Sequence, residues 1–224
     1  MTHPPNLQPI DTDDLHRLPI FPLPNVVLFP GAVLPLHVFE HRYRDLVKYT
    51  LAHGQVMGIP LLRPGYTPDE YEGSPPVFEF MGAGRVVAHQ PMPDGRCNIL
   101  IQGIERIRLL EELNTDYSFR LLRAAHVPEV GSISPAQLDT LRSLTLRLAH
   151  HLPQARDALM RLVSETHSPG LLVDQLAAYL VGDLEERQRL LETLDPGVRI
   201  ERLNTQLGAL YLELSEPDGG GQLN

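Results

Sequence analysis

Residues 117–152 read YSFRLLRAAHVPEVGSISPAQLDTLRSLTLRLAHHL, and the chain changes texture inside them. Up to Val127 apolar and polar residues alternate, the mark of a strand with one buried face. After Pro128 the pattern becomes helical. Ser134-Pro135 is a cap followed by a proline, whose locked φ suits a first helical turn. From Leu138 the leucines recur at three- and four-residue spacing, and Pro153 ends or restarts that helix.

Downstream of this switch every segment is amphipathic and helical. ARDALMRLVSETH, GLLVDQLAAYLV, LEERQRLLETL and GVRIERLNTQLGALYLEL are separated by Ser168-Pro169-Gly170, Gly182-Asp183 and Asp195-Pro196-Gly197. Asp183 and Asp195 stand where N-caps belong. Upstream the chain is β-rich. LPIFPLPNVVLFPGAVLPLHVF (18–39) reads as short extended strands with turns at Pro24-Asn25 and Pro30-Gly31. EHRYRDLVKYTLAH (40–53) puts Tyr43, Leu46, Val47 and Leu51 on one helical face, with Gly54 as the stop. QVMGIPLL (55–62) is the next strand. The stretches flanking Pro93-Asp94-Gly95 form a hairpin, since Asp-Gly between apolar strands favours a tight turn. Strands first and helices after, with no βαβ alternation, predict an α+β protein. The expected organisation is a leader over 1–16, a β-rich lobe over 17–128, a helical bundle over 129–214 and a disordered tail over 215–224.

Composition narrows the function. Hydrophobic residues make up 42% of the 224, ordinary for a globular chain. Residues 1–129 carry 15 acids against 11 bases, and residues 130–224 carry 13 against 8. Neither part is basic, so phosphate-tracking nucleic-acid binding and anionic membrane surfaces are disfavoured. Cys97 is the only cysteine, which fits a reducing compartment. The N-terminus has neither the basic nor the apolar region of a signal peptide, and no apolar run approaches the roughly 20 residues of a membrane span. The expected location is the cytoplasm.

Three ordered stretches resemble the substrate-binding domain of the Lon protease family. LPIFPLPNVVLFPGAVLPLHVFEHRYRDLV is similar to that family's opening, with its Phe-Pro-Gly turn, Leu-Pro-Leu strand and Phe-Glu-x-Arg-Tyr helix start. DGRCNILIQGIERIRLLE resembles its Gly-hydrophobic-Glu-Arg step, and LEERQRLLETLDPGVRIERL its helical Gln-x-Leu-Leu-Glu run. The resemblance spans 18–212. It implies a β-rich pseudo-barrel of PUA-like architecture followed by a helical bundle. It also implies capture of exposed apolar segments of other proteins, as a stand-alone recognition module or an adaptor for a separate protease. The expected surface is a cleft between barrel and bundle, with strand addition at a sheet edge, lined by Pro30, Gly31, Leu36, Phe39, Glu40, Arg42 and Tyr43.

The chemistry of Lon itself is not in these residues. There is no G-x-x-x-x-G-K-[S/T], and Lys48, the only lysine, follows no glycine-rich loop. A Ser-Lys dyad needs a desolvated lysine, whereas Lys48 sits mid-helix on an exposed-looking face. No enzyme activity, cofactor or metal is expected. His37-Val38-Phe39-Glu40-His41 spells H-x-x-E-H, but that motif needs one continuous helix and here a strand-to-helix break falls inside it. Glu40, Arg42 and Arg44 read as first-turn charges and ion pairs. His150 and His151 point about 100° apart on a helix and do not converge. Cys97 on its strand reads as an inert core thiol. His89, His126 and His167 lack partners at a diagnostic spacing. Gly82-Ala83-Gly84 reads as a bulge. The loop 63–76, with Tyr66 and Tyr71, is a solvated loop or an adaptable rim for peptides. The alternative function is RNA binding by the PUA-like lobe, for which Arg85, Arg96, Arg106 and Arg108 are the cluster to inspect.

Overall fold

The computed structural model describes residues 9–65 and 74–215; Tyr66, Tyr71 and residues 216–224 lie outside them. The elements are α1 (Thr12–His16), β1 (Leu18–Pro19), β2 (Val33–Val38), α2 (His41–Ala52), β3 (Val56–Ile59), β4 (Phe80–Pro91), β5 (Cys97–Leu113), β6 (Leu121–His126), α3 (Pro135–His151), α4 (Arg156–Glu165), α5 (Pro169–Leu180), α6 (Leu184–Glu192) and α7 (Pro196–Ser215). The protein is α+β, an antiparallel six-stranded sheet followed by helices.

The sheet runs β1-β6-β5-β4-β3, with β2 also paired to β5. β5 holds β4 along one edge; β2 (opposite 97–102) and then β6 (opposite 107–113) take the other. The hairpin forms where Asp-Gly predicts it. Gly95 adopts φ +83°, which a side chain disfavours, and the Asp94 carboxylate accepts the Arg96 backbone N–H at 3.1 Å. The Gly82–Gly84 stretch lies on β4, with a register shift between Ala83 and Gly84. A Cβ on Gly82 would overlap the Leu28 carbonyl oxygen, and one on Gly103 that of Phe29. These glycines let the 28–29 backbone press against the sheet. α2 ends at a left-handed pair, Gly54 at φ +72° and Gln55 at φ +62°.

Two apolar clusters fill the β-rich part. One gathers Phe21, Tyr43, Leu46, Met57, Ile99 and Ile101 between α2 and the sheet. The other gathers Leu18, Ile20, Met81, Ile107 and Leu122, together with Ile10 and Leu15. The sequence reading left 1–16 as a frayed leader; residues 9–16 are instead docked, because two aliphatic side chains in an otherwise polar segment find a core. A second difference concerns α6. Chain contacts group 183–192 with residues 1–128, and 129–182 with 193–224. The Gln188 amide donates to Phe80 O (2.9 Å) and the Arg106 guanidinium to Leu191 O (3.0 Å), so α6 is pinned to β4 and β5 by hydrogen bonds its amphipathic pattern does not announce.

In the helical unit, Ser134 and Gln137 form the reciprocal capping box that opens α3. Arg199 is fully buried there. It donates to Thr193 O (2.9 Å), lies 3.1 Å from Asp174 Oδ1 and pairs with Glu129. Buried charge is tolerated only when matched in this way.

Candidate functional site

β2 alternates between a face turned to the core and a face turned outward. Leu34 and Leu36 pack against the first cluster, while Val33, Pro35 and His37 face out. Register carries that outward row across three strands. Pro35 stands opposite Leu100, and Leu100 opposite Ala88; His37 stands opposite Asn98, and Asn98 opposite Gln90. The result is an open groove of about 530 Å³ across β2, β5 and β4. Its centre is aliphatic. Its rim is polar, made by His37, His89, Gln90 and Asn98, and no Asp, Glu, Lys or Arg lines it. His37 Nδ1 and Asn98 Oδ1 are hydrogen-bonded at 2.8 Å. Phe39 extends the apolar strip: it is 61% exposed, with its ring 6.3 Å from that of His37.

The residues expected from the sequence separate on this frame. Leu36 lines the groove and Phe39 borders it. Tyr43 is only 6% exposed, its ring stacked 4.0 Å from Phe21, so it belongs to the core; Pro30 is likewise buried. Gly31, at φ +78°, serves the turn into β2. Glu40 occupies the N-cap position of α2, yet its carboxylate takes Arg42 Nε at 3.0 Å and makes no cap bond. The Arg42 guanidinium then lies 4.7 Å from the Tyr43 ring centre. Glu40, Arg42 and Tyr43 are thus linked to one another at this corner.

Leu100, Ala88, Val33 and Val87 went unremarked in the sequence. One signal was available: in Asn98-Ile99-Leu100-Ile101 the outward position holds a leucine where alternation calls for a polar residue. His37 ends up on β2 bonded to Asn98, and His41 opens α2 beside Asp45 at 3.1 Å, so the H-x-x-E-H letters do not converge. Three of the four arginines of the RNA alternative are engaged separately. Arg96 pairs with Asp94 (2.6 Å), Arg108 with Glu79 (3.3 Å), and Arg106 is buried under α6. Hydrogen bonds from Arg96 hold the Asp94 carboxyl below its ordinary pKa. Lys48 is exposed and bonds Asp45 at 3.2 Å; that bond, with a weaker one from Ser118, lowers the Asp45 pKa. Burial pushes the Cys97 thiol up, keeping it protonated and unreactive.

Comparison with known proteins now bears on this frame. Residues 17–208 match the family described as the ATP-dependent protease La (LON) substrate-binding domain. The chain belongs to that family. It is 30% identical over 203 residues to Lon protease 2 of Myxococcus xanthus, covering 88% of this chain and 24% of that protein. It is 32% identical over 194 residues to a Lon protease of Paraburkholderia phytofirmans, covering 82% and 23%. The chain thus spans about a quarter of the length of the curated relatives it matches. Its fold is similar to a Lon N-terminal domain protein from Xanthomonas campestris (TM-score 0.61, 24% identity, 84% of this chain and 97% of that one). It is also similar to the N-terminal domain of a Mycobacterium avium complex Lon protease (TM-score 0.65, 16% identity, 86% and 98%). Within this Lon-domain chain the matched span opens at Arg17, directly after α1. No helix among the described residues is long and apolar enough to cross a membrane.

Proposed function

We propose that the protein binds exposed apolar segments of other proteins in the groove across β2, β5 and β4, as a recognition module or adaptor for a separate protease. The observation that carries this reading is the aliphatic strip Pro35–Leu100–Ala88, left open and rimmed by polar groups with no Asp, Glu, Lys or Arg among them. Burying one leucine-sized client side chain there is worth roughly 1.5–3 kcal/mol. The polar rim, free of Asp, Glu, Lys and Arg, can pair with peptide N–H and C=O groups, which suits a binder of many sequences. Side-chain burial, and less so strand addition, supplies the affinity. β2 pairs with β5 on one side only, but Pro35 offers no N–H at that edge. Of the residues expected from the sequence, Leu36 and Phe39 belong to this surface, while Glu40, Arg42 and Tyr43 shape the corner behind it. The chain performs no ATP or peptide hydrolysis of its own in this reading, and turnover abolished by changing Lys48 would overturn that part.

The test is fluorescence anisotropy with a labelled, permanently unfolded protein at two salt concentrations, with labelled RNA in parallel. Saturable binding that survives high salt and is lost in Leu100→Asp supports the reading. Binding that Leu100→Asp leaves intact refutes the placement. RNA retention that falls steeply with salt would instead revive the nucleic-acid alternative.

A further inference from the structure

Residues 9–16 precede the span that matches the family, yet they cover one of the two cores. Ile10 is 2% exposed and Leu15 fully buried; they enter the cluster of Leu18, Ile20, Met81, Ile107 and Leu122. Between these anchors Asp11, Thr12 and Asp13 face solvent. The polar ties are few. The Ile10 N–H donates to Glu105 Oε1 (2.9 Å), Glu105 Oε2 lies 2.8 Å from His126 Nδ1, and His126 Nε2 lies 3.4 Å from Thr12 Oγ1. α1 has five residues and no side-chain cap, far too short to hold itself as a helix. On its other side an open cavity of about 450 Å³ is lined by the segment and by Tyr49, His53 and Val56, with the Asp14 carboxyl packed against Gly54. Asp14 is half-buried with Asp11 and Asp13 near it and Arg85 as the opposing charge; desolvation first, then Asp11, raises its pKa.

We propose that the surface beneath residues 9–16 is a second peptide-docking groove, occupied in cis by this segment, which takes in trans a segment carrying two aliphatic anchors five residues apart. The occupant follows from what already fills the groove. One apolar cluster takes two aliphatic side chains five positions apart, and the Glu105–His126 pair receives the backbone N–H and hydroxyl at the segment's start. The segment is held by its two aliphatic side chains, by the part-buried Ile10 N–H bond to Glu105, by the exposed Thr12–His126 contact and by the Asp14 carboxyl packed against Gly54, over a surface formed by β1, β4, β5 and β6. The tethered copy competes with any partner at high effective concentration, so it sets a threshold that only a well-matched or abundant segment exceeds. The groove is separate from the one across β2, β5 and β4, and neither proposal depends on the other.

The probe is a fluorescein-labelled peptide of residues 9–17, titrated against the full chain and against the full chain carrying Ile10→Ser and Leu15→Ser. The variant is expected to bind the peptide saturably and at least tenfold more tightly than the unmodified chain. A peptide carrying the same two serines should bind neither. A variant that keeps its far-ultraviolet circular dichroism and cooperative melt but ignores the peptide overturns the proposal. If the variant fails to fold, native-state hydrogen exchange on the unmodified chain decides. The amides of Ile10 and Asp14 exchanging at least tenfold faster than those of β5, with no dependence on global unfolding, supports a detachable segment. Exchange of those amides only on global unfolding overturns it.

Discussion

The two ends of the sheet treat apolar surface in opposite ways. Where β1, β6 and the second half of β5 meet, the chain lays Ile10 and Leu15 over its aliphatic residues. Where β2, the first half of β5 and the end of β4 meet, Pro35, Leu100 and Ala88 lie open, with Phe39 beside them. Covering a sheet face costs backbone entropy for every residue laid down. The chain accepts that cost at one end and not at the other. At the open end the aliphatic strip stays in contact with solvent. On the reading proposed above, the open end is the surface for partners, while at the covered end the chain supplies its own cover.

The largest expected contrast is in stability. Ile107→Ala, at the covered end, should cost about 2–5 kcal/mol, since it opens a cavity in a closed core. Leu100→Ala, at the open end, should cost under about 1.5 kcal/mol, because little of its burial is lost. Urea unfolding of the two variants measures both. Equal costs would mean that the open end is packed as tightly as the covered one and would erase the comparison.

Next comes binding. Phe39→Ala should weaken capture of an unfolded client about tenfold, roughly 1.4 kcal/mol, and leave the melting temperature nearly unchanged. Tyr43→Ala should do the reverse and lower stability by about 3 kcal/mol, because its ring stacks on Phe21 inside the core. Anisotropy and thermal melts on both variants separate a surface residue from its buried neighbour. Tyr43→Ala that loses binding with full stability would return that ring to the site.

How much of this was legible in the sequence varies with the kind of signal. The strand-to-helix switch near Pro128, the Asp94-Gly95 hairpin and the Ser134-Pro135 cap are local, and local chemistry decides them. The face of α2 carrying Tyr43, Leu46 and Val47 was readable too, but periodicity says only that such residues share a face. It does not say whether that face meets a core or a client, which is why Tyr43 passed for lining. Ile10 and Leu15 are lone aliphatics among polar neighbours and make no pattern, so their docking was invisible. α6 repeats the amphipathic text of its neighbouring helices, and only the bonds from Gln188 and Arg106 reveal that it sits with the sheet. Long-range pairing is what a single sequence leaves out. Leu100 is the exception, a break in alternation that pointed at the open groove.

The covered end can be probed for whether its cover moves as one piece. Ile10→Ala and Leu15→Ala each remove an anchor. If the segment docks as a unit, the first change already loosens the second anchor, and the double variant costs less than the two singles together by about 1 kcal/mol. Additive costs would mean two independent core contacts and a cover that does not lift. Urea unfolding of the four proteins in the cycle gives the answer.

The smallest effect is electrostatic and has a definite sign. Desolvation and the Asp11 charge raise the pKa of Asp14 in the folded chain, with Arg85 opposing. A raised carboxyl binds its proton more tightly folded than unfolded, so the ionised group works against docking. That penalty is absent below the ordinary carboxylate pKa, grows as pH rises toward the higher folded value, and is complete above it. Asp14→Asn should therefore slow exchange of the Ile10 amide at pH 7 and leave it unchanged near pH 3. The gain at neutral pH should stay near 0.5 kcal/mol, as for other surface substitutions. The opposite sign, with looser docking at pH 7, would mean that the Arg85 attraction outweighs desolvation, and that the acids of the segment hold it in place.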